Sequence, residues 1–211
     1  MHYLDGLSER QRSAVTAPDG PLLVTAGAGS GKTRTLTSRI LHLMEQGTSG
    51  KRIVAITFTN KAANEMKSRI LAHLEEREPA SRERDNLPFL GTFHSFGARI
   101  LRAEAEKIGR TRGFAIFDGN DTEKTLQSVM KKLGIEKSKL SPSEAKWRIG
   151  KVKNELLDPS EVDDDETFLE TFREYEASLV EQNALDFDDL LEKTYRLFTE
   201  RSDLKEKYQN A

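Results

Sequence analysis

The sequence predicts an α/β protein, a doubly wound parallel sheet interrupted by a stretch that is almost all helix. Three observations carry this reading. Apolar runs of strand length alternate with helix-period segments through the first 108 residues. A glycine-rich turn stands between the first such run and the first long helix. From Asp121 to about Asn183 only helical stripes remain.

Pro21-Leu22-Leu23-Val24-Thr25-Ala26 is a short apolar run ending at the glycine-rich turn, the pattern of a buried strand. Thr33 to Gln46 then places Leu36, Ile40, Leu43 and Met44 at helical spacing, with Gly47 as a stop. Arg52 to Phe58 reads as a second strand. Lys61 to Leu74 reads as a helix with Ala62, Met66, Ile70 and Leu74 aligned. Glu75 to Pro88 is polar with two prolines and is expected to be a loop. Phe89 to Phe93 is a weaker third strand, and Ser95 to Ile108 a further helix. Beyond it, Leu126, Val129, Met130 and Leu133 form one stripe, and Ile149, Val152 and Leu156 another. Phe168, Phe172, Tyr175 and Leu179 form a third. A last helix starts near Asp186 and carries Phe187, Leu190, Leu191 and Phe198.

The chain of 211 residues is long enough for one large domain or a domain with an insertion, at roughly 150 residues per domain. It has no cysteine, which excludes a disulfide scaffold, a thiolate zinc site and a cysteine nucleophile. No run of about 18 apolar residues and no signal-peptide pattern occurs, so a soluble, cytoplasmic protein is expected. Residues 1–157 hold 27 Lys and Arg against 18 Asp and Glu, whereas residues 158–211 hold 6 against 17. A basic front with an acidic tail fits an anionic partner, and equally two solvated faces that attract each other.

Ala26-Gly27-Ala28-Gly29-Ser30-Gly31-Lys32-Thr33 closes the first predicted strand and opens the first long helix, the context of a phosphate-binding loop. Glycines let backbone N–H groups approach phosphate oxygens, and the helix N-terminus adds about half a positive charge. Lys32 would place an ammonium on the β- and γ-phosphates, and the Thr33 hydroxyl could ligate Mg²⁺. The strict pattern begins with glycine where this chain has Ala26. A GTPase would need Asn-Lys-x-Asp, which Asn60-Lys61-Ala62-Ala63 fails at its last position. An ABC ATPase would need Leu-Ser-Gly-Gly-Gln, which is absent.

Further segments extend the pattern: Leu7 to Val15 around Gln11, Ala26 to Arg34, Ile56 to Met66, Gly91 to Phe96, and Leu185 to Leu190. With these motifs in this order the chain resembles the N-terminal part of superfamily 1A DNA helicases, the UvrD/PcrA/Rep group. The resemblance implies a P-loop NTPase (RecA-like) parallel sheet. It implies a first part of the ATP-binding domain at 1–107, a helical insertion subdomain at 108–183, and a return to the first domain at 184–211. The implied activity is ATP-dependent 3′-to-5′ DNA unwinding in repair or replication, with ATP and Mg²⁺ as cofactors. The implied partners are single-stranded DNA and duplex junctions.

By the same resemblance Gln11 would read the adenine edge and Arg34 would pack near adenine and ribose. Phe58 would contact a base, with Thr59 and Asn60 on the backbone. Thr92 and His94 would lie on the strand track, and Phe187 would help line a base pocket. Each has a plainer rival. Gln11 could be a surface glutamine, Phe58 and Phe187 core residues, and His94 a structural histidine. Trp147 fits helix packing better than a nucleic-acid platform, and Lys146 to Lys153 fits either duplex phosphates or a solvated face.

A motor of this type needs four apolar residues followed by Asp-Glu. Phe114 to Asp118 comes near, but Gly119 stands where Glu should be, and Asp186, Asp188 and Asp189 lack an apolar run before them. In the family that box would follow a Tyr-Gln such as Tyr208-Gln209, so the chain is expected to be an N-terminal fragment without the second motor domain and inactive alone. The rival functions are a nucleotide- and DNA-binding module without turnover, and a small-molecule P-loop kinase. The Thr57-Phe58-Thr59-Asn60 segment and the large helical insertion count against the kinase.

Overall fold

A computed structural model of the chain describes residues 2–77, 86–136, 138–162 and 165–210. It divides into two compact units, Met1–Phe96 and Gly97–Ala211, each with its own core.

In the first unit, Ser8 caps α1 (Glu9–Val15) through a reciprocal box. The Gln11 amide N–H donates to Ser8 Oγ at 3.3 Å, and Ser8 N–H donates to Gln11 Oε1 at 2.9 Å. α2 runs Lys32–Glu45. β1 (Val54–Thr57), α3 (Asn60–Arg77) and β2 (Phe89–Thr92) form a β-α-β unit. The two strands are parallel, with Val54 opposite Phe89 and Thr57 opposite Thr92. Ile40 and Leu41 of α2, Met66 and Ile70 of α3, and Ile53 and Ala55 fill the core. Each large side chain buried there is worth about 1.5–3 kcal/mol. The expected loop from Glu75 is shortened because α3 continues to Arg77, and the rest of it up to residue 85 lies outside the described residues.

One expectation fails here. Residues 21–26 form no strand, and Leu22, Leu23 and Val24 are exposed, Leu23 at 88%. A strand exists only where a neighbour takes its N–H and C=O groups. β1 and β2 pair with each other, and no described strand pairs with residues 21–26. The described strands therefore make two separate two-stranded parallel sheets in place of one doubly wound sheet.

α4 (Phe93–Ala103) crosses from one unit to the next, followed by a 3₁₀ turn at Ala105–Ile108. The second unit holds β3 (Ala115–Ile116), α5 (Gly119–Lys132), α6 (Pro142–Glu155), α7 (Pro159–Val162), α8 (Glu166–Glu181), β4 (Ala184–Leu185), α9 (Asp189–Glu200) and α10 (Ser202–Gln209). β3 and β4 are parallel, Ala115 opposite Ala184. The three predicted stripes meet in the core through Leu126, Met130, Ile149, Val152, Phe168, Tyr175 and Leu179. Gly97 on α4 lies so close to α9 that a Cβ would stand 2.3 Å from the Leu190 carbonyl oxygen. One other expectation changes. Trp147 is 67% exposed on α6 rather than packed between helices. Asp118 is the N-cap of α5, accepting from the amides of Asn120 and Asp121 at 2.7 and 2.9 Å, which explains an Asp after the Phe114–Phe117 run. Among the described residues no helix is long and apolar enough to cross a membrane.

Candidate functional site

The glycine-rich turn ends in the left-handed region at Gly29 (φ 73°) and Gly31 (φ 82°), which a residue with a Cβ adopts only at a cost. Gly31 is also the N-cap of α2 and supplies no side-chain acceptor, and the first turn of α2 carries no acid. The leading amides of α2 are therefore left with the helix dipole behind them and no carboxylate in front, a combination that attracts an anion. Lys32 folds back over the turn. Its ammonium donates to the carbonyls of Ala26 at 3.0 Å and Gly27 at 2.7 Å, and the Ser30 hydroxyl donates to the same Gly27 carbonyl at 2.7 Å. Thr33 stands next on the helix, half-buried, while Ala26 to Ser30 and Arg34 are exposed.

α1 is tied to this turn. Gln11 Nε2 donates to the Ser30 carbonyl at 2.8 Å while Gln11 Oε1 caps Ser8 N–H. A Cβ on Gly31 would lie 2.8 Å from Gln11 Nε2, so glycine is needed there for closeness as well as for φ. Arg34 donates to the Asp5 carbonyl at 2.7 Å, and Arg39 to the carbonyls of Val15 and Ala17. Between α1, α2 and residues 20–27 lies a cavity of about 800 Å³, lined by Gln11, Arg10, Leu22, Val24, Lys32 and Arg39 among others. The donors present suit a polyphosphate: amides, one ammonium and two guanidinium groups. Thr33, expected to ligate Mg²⁺, does not line this cavity.

The predicted strand-contact residues of the first unit gather at the C-terminal ends of β1 and β2. Phe58 is 92% exposed, which excludes the core-packing alternative, and its ring meets Phe93 edge-on with centroids 6.1 Å apart. Thr59 accepts from Ala62 N–H at 3.2 Å and starts α3 together with the exposed Asn60. Thr92 and Ser95 bond reciprocally and open α4, and His94 is half-buried in its first turn. Sequence reasoning missed Phe93. The signal was available: in a parallel pair with Thr57 opposite Thr92, the next residue on each chain is phenylalanine. Phe187 is 54% exposed just before α9, in the second unit.

Sequence reasoning also missed a buried charge network in the second unit. The Lys153 ammonium lies 2.7 Å from Asp186, 2.8 Å from Asp189 and 2.6 Å from Glu176. Lys193 pairs with Asp189 at 3.1 Å and Glu176 at 3.3 Å. Burial opposes the Lys153 charge, but Asp189, Asp186 and Glu176 outweigh it and hold its pKa well above the ordinary value. Burial and the neighbouring Asp189 push Asp186 up, while Lys153 and Lys193 outweigh burial at Asp189 and bring it down. Glu176, Asp186 and Asp189 offer three oxygens within 4.8 Å of one another, as a metal site would, but Lys153 already sits on all three. Of the two readings of Lys146 to Lys153, duplex phosphates or a solvated face, neither holds at Lys153. Lys153 is 3% exposed and cannot touch phosphate, and Lys146 donates to the Gly119 carbonyl at 3.0 Å.

The family described as UvrD/REP helicase N-terminal domain matches residues 7–211. A probable DNA helicase II homolog of Mycoplasma capricolum is 38% identical over all of this chain and 30% of its own length. The ATP-dependent DNA helicase PcrA of Bacillus subtilis is 39% identical over 98% of this chain and 28% of its own. The Staphylococcus aureus protein of that name is 38% identical over the same shares. The chain thus spans less than a third of the length of these relatives.

Proposed function

The chain belongs to the UvrD/REP helicase N-terminal domain family, and on that premise we propose that it is the ATP-binding portion of a DNA helicase that moves 3′-to-5′ on single-stranded DNA. The observation that carries the reading is the turn from Ala26 to Thr33, with Lys32 folded over it, at an α2 N-terminus free of acids and side-chain caps. In this reading the turn's amides and Lys32 hold the phosphates of ATP, Thr33 holds Mg²⁺, and Arg34 lies near the ribose. Bound there, Mg²⁺ neutralises phosphate charge. Gln11 reads the adenine edge, for which its Nε2 leaves the Ser30 carbonyl. Because Gln11 also caps α1, base identity and loop position are coupled through one side chain.

Phe58 stacks on a base, Thr59, Asn60, Thr92 and His94 follow the backbone, and Phe187 lines a base pocket. Every base has a π-face, so such contacts tolerate any sequence. Residues 1–107 and 184–211 form the RecA-like body in this reading, and 108–183 its helical insertion, which engages duplex junctions.

A second reading, a module that binds nucleotide and strand without turnover, is favoured by how the candidate acids are used. Asp118 caps α5, and Asp186 and Asp189 are buried on Lys153. Calorimetric titration with ATP and GTP, each with Mg²⁺, tests the nucleotide site. Preference for ATP that Gln11→Ala erodes supports it, and equal affinity for the two in the unmutated chain counts against the adenine role. Phosphate release with saturating single-stranded DNA then separates a motor from a binding module.

A further inference from the structure

We propose that Lys153 is a positioning residue for Phe187, holding the ring outward for a nucleic-acid base. This rests on the reading of Phe187 as a strand contact. The Asp186–Asp189 turn is closed by its own ends: Asp186 N–H donates to Asp189 Oδ2 at 3.0 Å, and Asp189 N–H to Asp186 Oδ1 at 2.8 Å. Phe187 and Asp188 are the two residues inside that ring. Each flanking carboxylate then presents its other oxygen to the same ammonium, at 2.7 and 2.8 Å. Asn154, the next residue of α6, donates to Asp188 at 3.1 Å. Tyr175 donates to Asp186 at 3.0 Å from α8.

The turn is thus gripped at both ends and at one middle position. Leu185, Asp186, Asp189 and Leu190 are all buried, so the grip fixes the stretch of backbone from which the exposed Phe187 ring projects. Two buried carboxylates this close repel unless a cation stands between them. Lys153 supplies it, and without it the turn has reason to open. A ring held in place before a base arrives loses less freedom on stacking than one that must be ordered. The network therefore acts on strand affinity through the entropy of one aromatic, without touching the strand itself.

The test uses the full 211-residue chain, labelled oligothymidylate, and the same strand made abasic. Phe187→Ala should weaken binding of the thymidylate strand about fivefold or more, the lower end expected for one stacked base, and leave the abasic strand unchanged. Lys153→Met should weaken the thymidylate strand by a similar factor, again sparing the abasic strand. The double variant should be no weaker than Phe187→Ala alone. Lys153→Arg, which keeps the cation, should recover most of the loss. Should Lys153→Met fail to fold, Tyr175→Phe combined with Asn154→Ala loosens the same turn by two hydrogen bonds and carries the test. Phe187→Ala without effect would overturn the strand-contact reading itself. Phe187→Ala weakening binding while the grip variants do not, or grip variants weakening both strands equally, would overturn the positioning role alone.

Discussion

Phe58→Ala separates a binding residue from a core residue. The ring is 92% exposed, and its recorded aromatic contact is the edge-on meeting with Phe93. A buried edge-to-face pair is worth about 0.5–1.5 kcal/mol, and exposed substitutions usually fall within about 0.5 kcal/mol. The loss of stability should therefore be about 0.5 kcal/mol, or about 1–2 °C in Tm for a chain of this length. One stacked base is worth about 1–3 kcal/mol, so affinity for oligothymidylate should fall about 5- to 150-fold. No charge is removed, so the slope of affinity against salt should stay the same. Ile70→Ala is the contrast: Ile70 is fully buried, and that change should cost about 2–5 kcal/mol. Fluorescence anisotropy at several salt concentrations, with thermal melts alongside, reads all of these. Unchanged affinity with Phe58→Ala, or a Tm drop comparable to that of Ile70→Ala, would refute the reasoning.

Gln11→Ala should erode the preference for ATP over GTP in competition titrations and, by removing the bond from its Nε2 to the Ser30 carbonyl, loosen the turn and raise hydrogen exchange across its amides. Lys207, bonded at 2.6 Å, holds Glu104 at about 2, below its ordinary 4.5, with Lys107 and Tyr208 helping. Folding depresses this pKa, so the contribution is full above pH about 4.5 and is lost as pH falls through about 2. Exchange of the α10 amides should rise over that window and lose its pH dependence in Glu104→Gln. Leu23→Lys should leave the melting temperature unchanged and reduce self-association in sedimentation velocity, because Leu23 lies in an exposed apolar run without a pairing strand among the described residues.

How much of this was legible in the sequence depends on where each interaction partner lies. α2, α3 and the stripes of α5, α6 and α8 were readable because a helix satisfies its backbone locally and its buried face repeats every turn. The capping box at Ser8 and the cap at Asp118 are equally local. Residues 21–26 misled because a strand is a property of its neighbours, and apolar composition alone does not provide one. Lys153 was opaque for a related reason. It stands in a run with Lys146, Arg148 and Lys151 that reads as a surface, and its partners Glu176, Asp186 and Asp189 come from other elements. The glycine-rich turn was legible because its residue types follow from the chemistry they would serve. Phe58 was recognised through its segment, and its exposure required the fold.

The central claim is that nucleotide binds on the turn from Ala26 to Thr33. Lys32 is exposed, and among the described residues its ammonium bonds the carbonyls of Ala26 and Gly27 in its own turn, so Lys32→Ala should leave the fold intact. A hydrogen bond from a charged group is worth about 1.5–3 kcal/mol, which predicts a loss of about 13- to 150-fold in affinity. Titration of ATP with Mg²⁺ into the unmutated chain should show one saturable site, and the same titration into Lys32→Ala should show that loss with an unchanged melting temperature. Equal affinity in the two proteins would contradict the account.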